Sequence, residues 1–179
     1  MSTGRLTILA AALLIGGAAR PCWAEIRQAT PDTMLLAHQA DLRATPAVVY
    51  AAIGKIGEWW SGQHTYSGDA RNLSLEVRAG GCFCERWAGG SVEHGRVVLA
   101  QDNEAVRFEG ALGPLQDMAV SAVMTFKLAP SGEGTRLTVT YRVGGNASHN
   151  LDKLAPIVDQ VVGEQVARLT RLVDGATPR

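Results

Sequence analysis

Between residues 72 and 143 successive runs of the chain alternate apolar and polar side chains, and after residue 150 the pattern changes to a helical period. Leu73, Leu75 and Val77 alternate with Ser74, Glu76 and Arg78. Further on, Val120, Ala122, Met124, Phe126 and Leu128 form one apolar face, as do Leu137, Val139, Tyr141 and Val143. Turn signals separate these runs: Gly80-Gly81, Gly89-Gly90, Asp102-Asn103 and Ser131 to Gly134. A period of two broken by such turns predicts a meander of antiparallel strands with one apolar face each. In the last segment Leu151, Leu154, Val158, Val161, Val162, Val166, Leu169 and Val173 fall on one helical stripe, with Gly175 placed to stop it. Pro156 inside it predicts a kink or a new first turn. A twisted sheet followed by a single long helix buries both apolar faces by wrapping one around the other.

Ahead of the meander, Met34 to Leu42 reads as a first strand. TPAVVYAAI, from Thr45 to Ile53, offers an N-cap threonine, a proline at the first helical position, and Val49 and Ile53 four apart. Gly54 and Gly57 end that helix before a second short turn at Glu58-Trp59-Trp60. The expected class is α+β: about seven strands in the order β-α-α-β6-α, over residues 34–175, with residues 25–33 an N-terminal extension and 176–179 a tail.

Residues 1–24 carry one early arginine, Arg5, an uncharged apolar run from Leu6 to Ala19, and small residues Cys22 and Ala24 before Glu25. This is the pattern of a secretory signal peptide, and its apolar run is too short to span a bilayer. The expected protein is exported and soluble, periplasmic in a Gram-negative cell and secreted otherwise, with no integral membrane segment after cleavage. Cleavage takes Arg5 and Arg20 and no acid from a chain of balanced charge, leaving a formal charge of −2. No cluster of Lys and Arg suggests nucleic acid or an anionic membrane as partner.

Two cysteines then remain, in GGCFCERW. In a regular strand Cys82 and Cys84 have Cα atoms about 6.6 Å apart and parallel Cβ vectors, too far for a disulfide without bending. Two free, protected thiols are expected. A two-residue turn at Gly89-Gly90 sets Glu85 against His94 and Arg86 against Glu93. One face then carries Phe83, Glu85, Trp87, Val92, His94 and Arg96, the other Cys82, Cys84, Arg86, Glu93 and Val97. Arg86 with Glu93 reads as an exposed cross-strand ion pair.

The order of elements, with TPAVVYAAI and EWW for paired short helices, VRAGGCF for the glycine turn and TRLTVTYRV for the last strand, resembles the START/Bet v 1-like helix-grip superfamily. Within it the chain is similar to the polyketide cyclase and Hsp90-ATPase-activator-like branch, the SRPBCC domains. That resemblance implies a cavity between sheet and C-terminal helix that often holds a hydrophobic ligand. It implies no particular reaction, since one fold hosts binders, cyclases, dehydratases and chaperone cofactors.

Candidate site residues follow from both readings. The aromatic segment WWSGQHTYSGD supplies Trp59, Trp60, His64 and Tyr66, either as plugs of the core or as a pocket mouth. Phe83, Glu85, Trp87 and His94 form the wall of the third strand and its partner. Glu85 and His94 are an exposed pair, an acid–base couple in an apolar cavity, or polar anchors for a ligand. Phe108, Met124, Phe126 and Tyr141 come from the later strands, Val158 and Val162 from the helix, and Met118, in LGPLQDM, from a loop on the same rim. His38, His64, His94 and His149 are scattered, with no metal-ligand spacing, so neither metal nor cofactor is expected. No phosphate-binding glycine motif is present, which counts against a nucleotide site. The expected function is binding of a small hydrophobic or amphipathic molecule, with a cyclase- or dehydratase-like enzyme using Glu85 and His94 as the alternative.

Overall fold

The computed structural model describes residues 23–175. They form one antiparallel sheet of eight strands in the order β1-β2-β8-β7-β6-β5-β4-β3. The strands are β1 (Trp23–Thr30), β2 (Thr33–Leu42), β3 (Leu73–Leu75), β4 (Cys82–Trp87), β5 (Gly90–Gln101), β6 (Ala105–Glu109), β7 (Ser121–Ser131) and β8 (Gly134–Gly144). Helices α1 (Pro46–Gly54) and α2 (Ile56–Trp59) follow β2, and α3 (Leu151–Asp174) follows β8. This is the helix-grip arrangement, and no helix among the described residues is long and apolar enough to cross a membrane.

The eighth strand is the one that periodicity missed. β1 occupies the segment expected to be an extension, and Glu25 to Gln28 are exposed, so no alternation marks it. It is held by its ladder to β2, from Trp23 opposite Gln39 to Thr30 opposite Thr33. The expected leader, apart from its last two residues, lies outside the described residues.

Elsewhere local signals and structure coincide. Thr45 precedes α1 with extended backbone and Pro46 takes the first helical position. The inner face of β2 is Met34, Leu36, His38, Ala40 and Leu42, all buried. Pro156 does not divide α3, which runs unbroken for 24 residues and ends at Gly175, φ 75°. Its buried side chains are Leu151, Ala155, Val162, Gln165, Val166 and Leu169. α3 is fastened at both ends. The N–H of Leu151 donates to the Pro31 carbonyl, 2.9 Å. At the far end the Asp174 carboxylate accepts from the backbone N–H groups of Arg43, 3.0 Å, and Ala44, 3.3 Å.

Candidate functional site: a buried carboxylate and imidazole on an aromatic wall

The hairpin of β4 and β5 turns at Ala88-Gly89, with Gly89 at φ 91°, and not at Gly89-Gly90. Trp87 therefore pairs with Gly90, Arg86 with Ser91, Glu85 with Val92 and Cys84 with Glu93. The register then slips: Phe83 pairs with Gly95 and Cys82 with Arg96. His94 is the extra residue of that bulge, the kind of irregularity that re-aims a side chain. It turns inward beside Glu85 while Arg96 turns out and Val97 turns in, the reverse of the faces a regular ladder assigns.

The expected Arg86–Glu93 pair is absent for the same reason. Glu93 is bound by Arg96, and the Arg86 guanidinium reaches the Ser74 hydroxyl at 3.5 Å. The expectation of free thiols is also overturned. Cys82 and Cys84 form a disulfide. At the ladder slip the strand is compressed to a Cα separation of 5.4 Å, within bridging range. Cys84 is buried and Cys82 half-buried, on the face opposite Phe83 and Glu85.

Glu85 is fully buried and His94 is 5% exposed. His94 Nε2 lies 2.9 Å from Glu85 Oε2. The same carboxylate accepts the backbone N–H of Tyr66 at 3.0 Å and of Ser67 at 2.6 Å. Burial pushes its pKa up, but hydrogen bonds from Ser67, Tyr66 and His94 outweigh that and hold it below the usual carboxylate range. Burial lowers the pKa of His94, against the pull of Glu85. The pair is thus an ionised carboxylate and a neutral imidazole. With the carboxylate accepting, Nε2 carries the ring proton and Nδ1 the lone pair. An exposed cross-strand pair is excluded.

Around this pair the wall is aromatic. The His94 ring lies 4.8 Å from Phe83 and 5.8 Å from Tyr66. Phe83 contacts Trp60 and Phe108, at 5.5 and 5.3 Å between centroids, and Phe126 contacts Trp59 at 6.3 Å. Both tryptophans are buried and plug the interior, their indole N–H groups donating to the carbonyls of Ala52 and His64. Met124 and Tyr141 are buried in the same core, as is Val162, while Val158 is half-buried. The Tyr141 hydroxyl donates to Gly110 O and accepts from Leu112 N–H, which pins the chain leaving β6. Met118 ends a 3-10 segment, Gly113–Met118, whose Gln116 bonds the hydroxyl of exposed Tyr66 at 2.9 Å. Tyr66 and Met118 therefore belong to two loops latched at one rim. Trp87 is not brought to this wall. It folds over its own turn, so close to Gly90 that a Cβ there would lie 2.3 Å from the indole.

His64 faces Glu164 of α3 at 3.2 Å. It is part of a seam that the sequence did not reveal: Gln165, 2% exposed, accepts the Ser61 N–H at 2.8 Å, and Arg168 donates to Trp59 O at 2.7 Å. Gln165 interrupts the apolar stripe of α3 between Val162 and Val166, and that interruption was the available signal. His38, 1% exposed, lies under α3 with its Nε2 2.9 Å from Asp159, an approach poorly aligned for a hydrogen bond. Burial lowers its pKa in spite of Asp159. Its place among Met34, Leu36, Ala40 and Leu42 on an alternating face could have been read. A separate open groove of about 440 Å³ runs along α1, α2 and β3, lined by Lys55, Glu58, Arg71, Leu73 and Glu76. None of the expected ligand-binding residues lines it.

No family model matches the chain, and no curated protein matches it in sequence. Solved structures do match in shape. Protein MLL2253 from Mesorhizobium loti superposes with a TM-score of 0.59 at 15% identity, over 80% of this chain and 99% of that one. CalU16 from Micromonospora echinospora gives 0.58 at 13% identity, over 88% of each. A protein described as the Aha1 dimer, from Colwellia psychrerythraea, gives 0.52 at 15% identity, over 80% of this chain and 98% of that one. At such identities the likeness is one of fold, and the fold these proteins share with this chain is the helix grip.

Proposed function

We propose that the protein is an exported binder of a small hydrophobic or amphipathic molecule, held between the sheet and α3. The observation that carries this reading is the aromatic wall of Trp60, Phe83, Phe108 and Phe126 with the Glu85–His94 pair set into it. An apolar lining with a few convergent polar groups is the usual composition of a ligand site. The rim supports it too. Two loops joined at the surface through the Tyr66 hydroxyl, Gly113 and Gln116 offer an entrance. Export is supported by the leader pattern and by a disulfide of the kind an oxidising compartment maintains. Native mass spectrometry of the cleaved protein, followed by organic extraction, tests the reading. A co-purifying small molecule, or displacement of an apolar fluorophore by added lipids, is expected. Ligand-free protein that takes up no apolar probe would refute it.

A second reading, acid–base catalysis of the cyclase or dehydratase kind on a carbonyl substrate, is favoured by the same 2.9 Å contact. In it His94 Nδ1 takes the substrate proton and Glu85 stabilises the imidazolium that forms. Three donors already occupy Glu85, so its own part is positioning. The variant His94→Gln separates the readings: a binder retains its ligand, whereas an enzyme loses turnover.

A further inference from the structure

On the outer face of the sheet the bulge does something else. It sets Glu93 directly across from Cys84, with Cys82 next to it. Cys82 Sγ is 4.0 Å from Glu93 Oε2. The two sulfurs and a carboxylate oxygen of Glu93 all lie within 4.8 Å of one another. Glu93 is exposed and Cys82 half-buried, so solvent reaches the cluster from one side. Arg96, opposite Cys82, binds Glu93 and also donates to Gly80 O at 3.0 Å, which holds the carboxylate beside the sulfurs.

We propose that Cys82, Cys84 and Glu93 form a redox-gated site for a thiophilic divalent cation such as zinc, closed while the disulfide is intact and open once it is reduced. A dithiol or phosphine reductant delivers two electrons to the disulfide. The sulfur–sulfur bond breaks, two protons are taken up, and the reductant leaves as its disulfide or, with water, as the phosphine oxide. The cation then displaces those two protons as two sulfur–metal bonds form, and Glu93 adds an oxygen ligand. Tetrahedral zinc with bonds of about 2.3 Å sets its sulfurs about 3.8 Å apart, a spread that side-chain rotation at two same-face positions supplies. Three protein ligands leave the fourth position to water. A bridge across a single intervening residue constrains the unfolded chain little, so the reduced domain stays folded and able to bind.

Cobalt(II) is the probe. Phosphine-reduced full chain, under argon, is expected to take up one equivalent and show sulfur-to-cobalt charge transfer in the near ultraviolet with tetrahedral bands in the visible. Oxidised protein is expected to show neither. Glu93→Gln should weaken cobalt binding about tenfold or more while keeping the charge transfer, and Cys82→Ser should abolish the two-sulfur spectrum. Far-ultraviolet circular dichroism checks that each variant is folded. Should Cys82→Ser fail to fold, Glu93→Gln and the oxidised wild type still decide the matter. Equal affinity in the two redox states, half an equivalent bound between two chains, or unchanged affinity in Glu93→Gln would each overturn the site.

Discussion

Glu85 and His94 meet at 2.9 Å inside the protein, and only His94 owes its position to an irregularity of the ladder. Glu85 is a regular strand residue, whereas His94 is the extra residue that one partner strand gains over the other. The contact therefore depends on the bulge, and the bulge on two glycines packed beside it. Gly95 and Gly110 face each other so closely that a Cβ on Gly110 would lie 2.1 Å from His94 O.

Glu85 also ties the loop after α2 to the sheet. Glu85→Ala leaves the N–H groups of Tyr66 and Ser67 and the His94 ring without their acceptor, and is expected to cost about 3–5 kcal/mol. Urea unfolding gives the magnitude. Hydrogen exchange should show residues 65–68 losing protection before the sheet does, and uniform loss would contradict the anchoring role.

The acid limb of the stability curve follows from the lowered pKa values of three buried groups. His38 and His94 lie below 6.5 in the folded state and Glu85 below 4.5. The unfolded chain binds protons that the folded one refuses, so stability is fullest above pH 6.5 and declines as pH falls toward the lowered histidine values. Below pH 4.5 it declines again, until Glu85 itself protonates in the folded state. Each group contributes a slope of at most about 1.4 kcal/mol per pH unit. Urea midpoints between pH 7.5 and 5.5 should fall in the wild type and fall less steeply in His94→Gln. A flat wild-type profile would show that the histidines titrate alike in both states.

Gln165→Leu keeps the volume and removes the acceptor of the buried Ser61 N–H. A loss of about 2 kcal/mol is expected, since an orphaned buried donor carries its full desolvation cost. A neutral result in thermal unfolding would mean that water reaches Ser61.

Gly163→Ala tests how tightly α3 lies on β2. Alanine is the better helix former by about 1 kcal/mol, yet its Cβ would fall 2.9 Å from the Cε1 atom of buried His38. Overpacking of about 1–3 kcal/mol is expected to win. In a His38→Ala background the same change should be neutral or stabilising, and additive effects in the double-mutant cycle would disprove the contact.

The sequence reveals elements whose local chemistry agrees with their surroundings, such as the Thr45-Pro46 start of α1, the alternation of β7 and β8, and Gly175 at the end of α3. It conceals what long-range pairing decides. β1 carries no amphipathic signature because it is exposed and held by hydrogen bonds to β2. The disulfide was hidden because a regular strand was assumed where the ladder slips. Glu85 and His94 were nominated through a register that was wrong by two residues. That shift preserves parity, so the two side chains still share a face, while Arg96 and Val97, past the bulge, change sides. Gln165, Arg168 and His38 were each legible as a polar residue on, or next to, an apolar face.

The fastening of α3 at both ends bears on how the chain acquires its structure over time. The anchors of α3 are Pro31, Arg43 and Ala44, more than a hundred residues before it in the chain. Until α3 is in place, β1 and β2 lack their helical cover. Contacts spanning more than a hundred residues also make closure slow, in the range of milliseconds to seconds. In this topology the slow step is therefore the docking of α3 onto strands far from it in sequence.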